Sequence, residues 1–179
     1  MIYSPEEDSY LLEKEVRKIS KNKKVLDMGS GSGIQALSAL ASGAKSVLAS
    51  DISSESLAFL RKNKIPCVKS DLFDNIHEKF DLIVFNPPYL PEDKLEDSES
   101  ALATTGGKKG DEIILRFLKE AKPHLSSKGI ILLLLSSLTP MDRIKKLLKS
   151  LGFNKEIISS KKLFMETLYV LKIEEKPLS

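Results

Sequence analysis

The sequence predicts an α/β fold: a seven-stranded, mostly parallel sheet with helices on both faces and the last strand antiparallel. Three observations predict it. Short apolar segments alternate with helical ones across short connections, the pattern of a parallel sheet covered on both faces. The run at 130–135 is wholly apolar and reads as a strand buried on both sides. Polar residues close several of the apolar segments: Asp27 falls at the end of the first, and Asp51, Asp71 and Asn86 end later ones. Ligands in such sheets sit outside the carboxyl ends of the strands, near the point where strand order reverses.

The elements follow in order. Ser4-Pro5-Glu6-Glu7 reads as a helix start, with Ser4 as cap, Pro5 at the first helical position and Glu7 closing a capping box. Leu12, Val16 and Ile19 then recur at helical spacing, and Lys21 to Lys24 end the helix. Residues 25–28 form a strand that runs into Gly29-Ser30-Gly31-Ser32-Gly33. A small-residue helix spans 34–41 and stops before Gly43. Strands are predicted at 46–50, about 67–69 and 80–85, with a helix at about 53–63 between the first two. Residues 90–110 are polar and turn-rich and read as a long loop. Asp111 opens a helix carrying Ile114, Leu118 and Ala121 on one face. After the strand at 130–135 come a helix at about 141–151, ended by Gly152, and strands near 153–159 and 163–173.

At 179 residues the chain suits a single domain, 1–179, with the opening helix inside residues 1–20. Its 41% hydrophobic and 30% charged residues are the balance of an ordinary globular protein. No apolar run is long enough for a membrane span, and the acidic opening is unlike a secretory signal, so the cytoplasm is the expected location. A single cysteine, Cys67, excludes an internal disulfide and a cysteine-rich zinc site. Cys67 reads as a small core residue, His77 and His124 as surface or helix-end residues, and no metal site is expected. The net charge of +3 is spread among glutamates, so stable nucleic-acid binding is not expected.

Gly29, Gly31 and Gly33 follow the first strand directly. Glycine lets the backbone turn sharply and approach a ligand closely, and the following helix N-terminus offers N–H groups to a carboxylate. Asp51 can accept hydrogen bonds from two ribose hydroxyls. A dinucleotide fingerprint would place its third glycine at position 34, where this chain has Ile34. The spacing instead suits a nucleoside with a short amino-acid tail. Asp27 can orient the glycine loop and face a positive ligand group, or simply cap the turn. Asp71 can bond an adenine amine with the Leu72 backbone beside it, or cap the turn that it opens.

Asn86-Pro87-Pro88-Tyr89 is the sharpest signal. Consecutive prolines fix the backbone and remove two donors. The Asn86 side-chain oxygen and the Pro87 carbonyl can each accept one hydrogen of a planar –NH2 group, and Tyr89 offers a flat face to stack on. Two fixed acceptors suit methylation of an amide or aromatic amine, where positioning and preorganised dipoles supply much of the rate.

Residues 25–33 together with Asn86-Pro87-Pro88-Tyr89 resemble the class I, Rossmann-like methyltransferases that act on exocyclic nitrogen. Tyr3-Ser4-Pro5-Glu6-Glu7-Asp8-Ser9 resembles the opening of HemK-type protein-glutamine methyltransferases, of the short archaeal and eukaryotic branch that lacks the N-terminal helical domain of bacterial relatives. The resemblance implies S-adenosylmethionine as methyl donor and the glutamine of the Gly-Gly-Gln loop of a class I translation release factor as acceptor. It implies cofactor contacts from Ser9, Asp27, Gly29, Asp51, Asp71 and Leu72, to which the loop glycines Gly31 and Gly33, Ile52 and Asn86 are added. Pro5, Asn86, Pro87 and Tyr89 form the expected substrate contacts, and Asn86, Pro87, Pro88 and Tyr89 the catalytic set. It also implies a small zinc-binding activator protein pairing along the third-strand edge, at about 65–70. The alternatives are a nucleic-acid exocyclic-amine methyltransferase, secondary lysine methylation, a cofactor-binding scaffold without turnover, and a dinucleotide oxidoreductase, against which Ile34 argues.

Overall fold

The computed structural model describes residues 5–88 and 110–177. The expectations placed on Ser4, on Tyr89 and on the loop at 90–109 lie outside those residues. The elements are α1 (Glu7–Ile19), β1 (Lys24–Met28), α2 (Ile34–Ala41), β2 (Ser46–Asp51), α3 (Ser54–Lys62), β3 (Cys67–Lys69), β4 (Phe80–Phe85), α4 (Glu112–Ala121), β5 (Leu125–Ser136), α5 (Met141–Ser150), β6 (Phe153–Lys162) and β7 (Thr167–Glu175). A 3₁₀ turn at Lys122–His124 joins α4 to β5.

Among the described residues the strands form one seven-stranded sheet in the order β3-β2-β1-β4-β5-β7-β6. β1 pairs in parallel with β2 and with β4, β2 with β3, and β4 with β5. β7 runs antiparallel between β5 and β6. From β1 the chain winds outward through β2 to β3, then returns to build β4 and β5 on the other side. Strand order therefore reverses between β1 and β4.

Strict alternation on the strands divides the core into two layers. Ile131, Leu133 and Leu135 pack with Ile114, Phe117 and Leu118 of α4 and Ile144 and Leu148 of α5. Leu132 and Leu134 pack on the other face with Leu11, Leu12 and Val16 of α1, Ala36 and Ala39 of α2, and Leu57 and Leu60 of α3. A strand covered on both sides has no position for a polar residue, which explains the unbroken apolar run.

Three elements depart from the sequence reading. First, α1 begins at Glu7 with Glu6 in the capping position and no side-chain cap bond, so Pro5 precedes the helix rather than opening it. The acidic Glu7 and Asp8 instead meet the positive end of the helix dipole. Second, β5 starts at Leu125, not at Ile130. Its first residue, Leu125, pairs with Phe80 ahead of a register shift, and the Ser126 hydroxyl donates to Asp81 Oδ1 at 2.5 Å. Third, β6 and β7 meet in a tight turn closed by Leu163 N–H donating to the Glu166 carbonyl at 2.8 Å. Phe164 and Met165, 100% and 78% exposed, form its tip. Their apolar character extends the apparent strand pattern through a turn that lacks glycine and proline.

Phe117 is fully buried and its ring lies 5.5 Å from Phe73 and 4.6 Å from Phe85. Phe117→Ala is expected to lower the unfolding free energy by about 3–5 kcal/mol, measured by denaturant titration.

Candidate functional site

The register of β1 on its neighbours assembles the site. Met28 lies opposite Phe85 of β4 and Ser50 of β2. The next residues, Gly29, Asn86 and Asp51, therefore leave three adjacent strands at one level.

The glycine loop is held from beneath. The Ser30 hydroxyl donates to the Asp27 carbonyl at 2.7 Å, and Ser30 N–H donates to the Ser50 carbonyl at 3.0 Å. Gly31 N–H donates to Asp51 Oδ2 at 2.8 Å, while Asp51 Oδ1 accepts from Ser53 N–H at 2.8 Å. Asp51 thus ties the loop to the start of α3 and keeps lone pairs for further donors. Gly31 and Gly33 both have left-handed backbones, with φ of 51° and 74°. A Cβ on Gly33 would come within 2.7 Å of Leu60, so this glycine is required by packing. A Cβ on Gly31 would meet nothing within 4 Å, so this glycine faces open space where a ligand can approach.

Asp27 is buried. Its Oδ2 accepts from Ala36 N–H at 3.0 Å, which satisfies an otherwise orphaned donor in the first turn of α2. Asp27 thus braces the start of α2 from nine residues away. Burial pushes its carboxyl up to about 7, against the hydrogen bonds it accepts. A positive ligand group beside it would draw it back to the ionised form.

Asn86 is half-buried at the end of β4, and Pro87 behind it is buried. Its amide nitrogen donates to Asp8 Oδ2 at 3.1 Å. Its amide oxygen is buried and has no hydrogen-bond partner among the described residues. Ser9 is buried next to Asp8: its N–H and hydroxyl both donate to Asp8 Oδ1, and its carbonyl accepts from the Gln35 amide at 2.9 Å. The Gln35 side-chain oxygen is likewise buried and unpartnered among the described residues.

Asp71 and Ile52 lie further out. Asp71 is about two-fifths exposed and forms an ion pair with Arg116 of α4. Leu72 is buried with φ of 44°, an uncommon conformation for a leucine, and the Ser70 hydroxyl donates to its carbonyl at 2.7 Å. Ile52 is 54% exposed beyond the end of β2. Pro5 lines a groove of about 480 Å³ between α1 and α2 with Ser32 and Ile34; Asp27, Asp51 and Asn86 do not line it. Cys67 is half-buried on β3, with its thiol 3.8 Å from the Leu57 carbonyl. The described residues contain no cluster of histidine, cysteine and carboxylate side chains able to hold a metal ion.

Asp8, Gln35 and Arg116 were not among the residues singled out from the sequence. Asp8 stands next to Ser9 in the opening motif, so its place was visible there, but its partner is 78 residues away. Gln35 is a polar residue among small ones directly after the glycines, a weak but readable signal. No local pattern marks Arg116.

Two outcomes test this geometry. Gly31→Ala is expected to weaken ligand binding at least about tenfold, with a fall in melting temperature limited to the cost of its left-handed backbone, whereas Gly33→Ala adds a clash with Leu60 to that cost and lowers the melting temperature further. For Asp27, the folded-state value of about 7 lies above the unfolded value of 3.8. The folded chain therefore keeps a proton that the unfolded chain releases, and stability falls as pH rises through that window. Asp27→Asn keeps an acceptor for Ala36 without this charge, so its melting temperature relative to the parent should rise between pH 5 and pH 8. A constant difference would mean that Asp27 does not titrate there.

Comparison with known proteins agrees with a methyl-transfer site. The model of the methyltransferase small domain matches residues 6–165. A Methanocaldococcus jannaschii protein named as a protein N5-glutamine methyltransferase is 40% identical over 178 residues, covering 95% of this chain and 90% of its own length. Human methyltransferase HEMK2 is 30% identical over 189 residues, covering 96% of this chain and 88% of its own length. The solved E. cuniculi Mtq2–Trm112 complex, responsible for methylation of the eRF1 translation termination factor, superposes with a TM-score of 0.77 at 29% identity, covering 97% and 98% of the two chains. An Asn86 oxygen set beside a glycine loop, on a sheet whose order reverses between them, thus stands in a chain that belongs to the methyltransferase small domain family.

Proposed function

We propose that this protein transfers a methyl group from S-adenosylmethionine to the side-chain amide nitrogen of a glutamine, in the Gly-Gly-Gln motif of a class I translation release factor. The observation that carries the reading is the buried Asn86 oxygen, an acceptor without a partner among the described residues, beside the glycine loop. The Methanocaldococcus jannaschii relative, named for N5-glutamine methylation, supports the choice of glutamine over other –NH2 groups, and the E. cuniculi complex supports a translation termination factor as its carrier.

The residues present fit the cofactor. The donor supplies an electrophilic methyl carbon and carries positive charge on its sulfonium and amino groups. Asp27 and the loop of Gly29, Gly31 and Gly33 would hold the amino-acid end, with Ser9 and Asn86 flanking it. Asp51 would accept from the ribose hydroxyls. Ile52 and Leu72 would enclose the base, and Asp71 would accept from its amine while paired with Arg116.

The substrate amide would rest on Asn86, Pro87 and Tyr89, with Pro88 stiffening the turn and Pro5 at the rim. An amide nitrogen is a poor nucleophile because its lone pair is delocalised. The Asn86 oxygen and the Pro87 carbonyl take up the charge that grows on the two N–H hydrogens and fix the nitrogen's direction. As the nitrogen gained its bond to the methyl carbon, that carbon's bond to the sulfonium sulfur would break, leaving a neutral thioether, and the methylated nitrogen, now acidic, would release one proton. A base acting before transfer is unnecessary.

The complex of Mtq2 with Trm112 supports a small partner protein for this chain too. Its proposed seat is the β3 edge, residues 65–70, where the outermost strand of the sheet has one side unpaired among the described residues. We propose zinc binding for that partner rather than for this chain. Among the described residues no helix is long and apolar enough to cross a membrane, and the cytoplasm is the proposed location.

Incubation with labelled cofactor and either release factor or total RNA tests the reading. Label is expected on the release factor, at the glutamine; label on RNA alone would overturn it in favour of a nucleic-acid amine. Asn86→Ala is expected to lower kcat by about 10²–10³ while largely sparing cofactor binding.

A further inference from the structure

We propose that Asp8 is a positioning residue for methyl transfer: its carboxylate fixes which way the Asn86 amide points. The inference rests on Asn86 as the acceptor of the substrate –NH2 group and extends that reading to a second residue.

A side-chain amide has two ends of similar shape and opposite hydrogen-bonding character. Turned one way, Asn86 offers an oxygen to the substrate; turned the other, it offers an N–H₂ group that repels the substrate's own hydrogens. The backbone fixes the position of Asn86 through the β4 end and the following prolines, but it does not choose between these two rotations. Asp8 does. An ionised carboxylate only accepts, so the end of Asn86 that faces it must be the nitrogen, and Nδ2 lies 3.1 Å from Asp8 Oδ2. The oxygen is then left buried and unpartnered among the described residues.

The carboxylate is itself held. Asp8 is 5% exposed in the first turn of α1, where the helix dipole favours negative charge. Its other oxygen takes the N–H and hydroxyl of Ser9, and Ser9 is fixed in turn by Gln35. Asp8 thus links the opening helix to the end of β4 across 78 residues. A bond between a charged acceptor and a neutral donor is stronger than one between neutral groups, so the wrong rotation is disfavoured even while the oxygen waits without a partner.

Asp8→Asn is the informative substitution because it is nearly isosteric and can donate as well as accept. It can therefore hold Asn86 in the wrong rotation. Asp8→Ala removes the selection without imposing the wrong choice. Both are measured with the release factor as substrate, beside Asn86→Ala and the Asp8→Asn, Asn86→Ala double variant. The readouts are kcat, KM, cofactor Kd by calorimetry and melting temperature. Asp8→Asn is expected to lose about 10- to 100-fold in kcat, at least as much as Asp8→Ala, with cofactor Kd changed by less than about threefold. In the Asn86→Ala background Asp8→Asn is expected to add no further loss beyond about twofold, because no amide remains to be turned.

A purely structural role predicts otherwise: a loss that appears in melting temperature or cofactor Kd and multiplies with that of Asn86→Ala. Either of those results overturns the proposal, as does normal kcat in both Asp8 variants while Asn86→Ala is inactive. Normal turnover by Asn86→Ala itself is a different failure, since it removes the acceptor assignment on which this inference stands. If Asp8→Asn does not fold, Asp8→Ala and its double variant decide by the same additivity criterion.

Discussion

Met28 opposite Phe85 is the pairing on which the rest of the site depends. It brings two strand ends from either side of the topological reversal to one level, so that the loop after β1 and the asparagine after β4 face a common space. The chain separates these residues by more than fifty positions, and the β1–β4 ladder joins them. A slip of β4 by one residue in this register would turn Val84 toward the α4–α5 layer and shift Asn86 relative to the glycine loop. The two-layer core opposes it, because the apolar residues on this ladder, Leu26, Met28, Ile83 and Phe85 on one side and Val25, Leu82 and Val84 on the other, each already pack in their own layer. Core packing and site geometry are in this sense one constraint.

The polar groups gathered there are unusual company for such a core. Asp8, Asp27 and Asp51 are all buried within the space of three elements. Burying carboxylates is unfavourable unless each finds donors. Asp51 has Gly31 and Ser53, Asp8 has Asn86 and Ser9, and Asp27 has Ala36 but still keeps its proton to about pH 7. On the proposed reading, a positive ligand group beside Asp27 would relieve a penalty that burial imposes on its carboxylate.

Most of the sheet could be read from the chain, since both its signals are local. Residues 34–41, 67–69 and 80–85 were placed at their observed bounds because glycine and proline punctuate them. Elsewhere such marks are absent or misleading. Phe164 and Met165 form a turn with strand-like composition, and Ser126 to Gly129 join β5 despite loop-like composition, through a bond to Asp81. At the site, the backbone features were legible and the side-chain partnerships were not. The glycines announce a loop, but nothing local says that Gly33 serves packing while Gly31 faces open space. That difference depends on Leu60 and Ile65, brought in by α3 and the turn after it. The Asp8–Asn86 bond is likewise invisible in one dimension.

The same two oxygens that suit an amide also argue against an amine acceptor. A lysine side chain at neutral pH is an ammonium ion without a lone pair, and it must lose a proton before it can attack. Hydrogen-bond acceptors at Asn86 and Pro87 would stabilise the charged, unreactive form, and the Asp8 carboxylate behind Asn86 would add to that field. A primary amide meets no such obstacle. It is neutral, it has two hydrogens to give, and the acceptors strengthen their hold only as positive charge appears on the nitrogen during transfer. An arrangement that gains in the transition state for one acceptor and in the ground state for the other selects between them through kcat, not through binding. For lysine to compete here, a base would have to remove its proton while those oxygens held it in place.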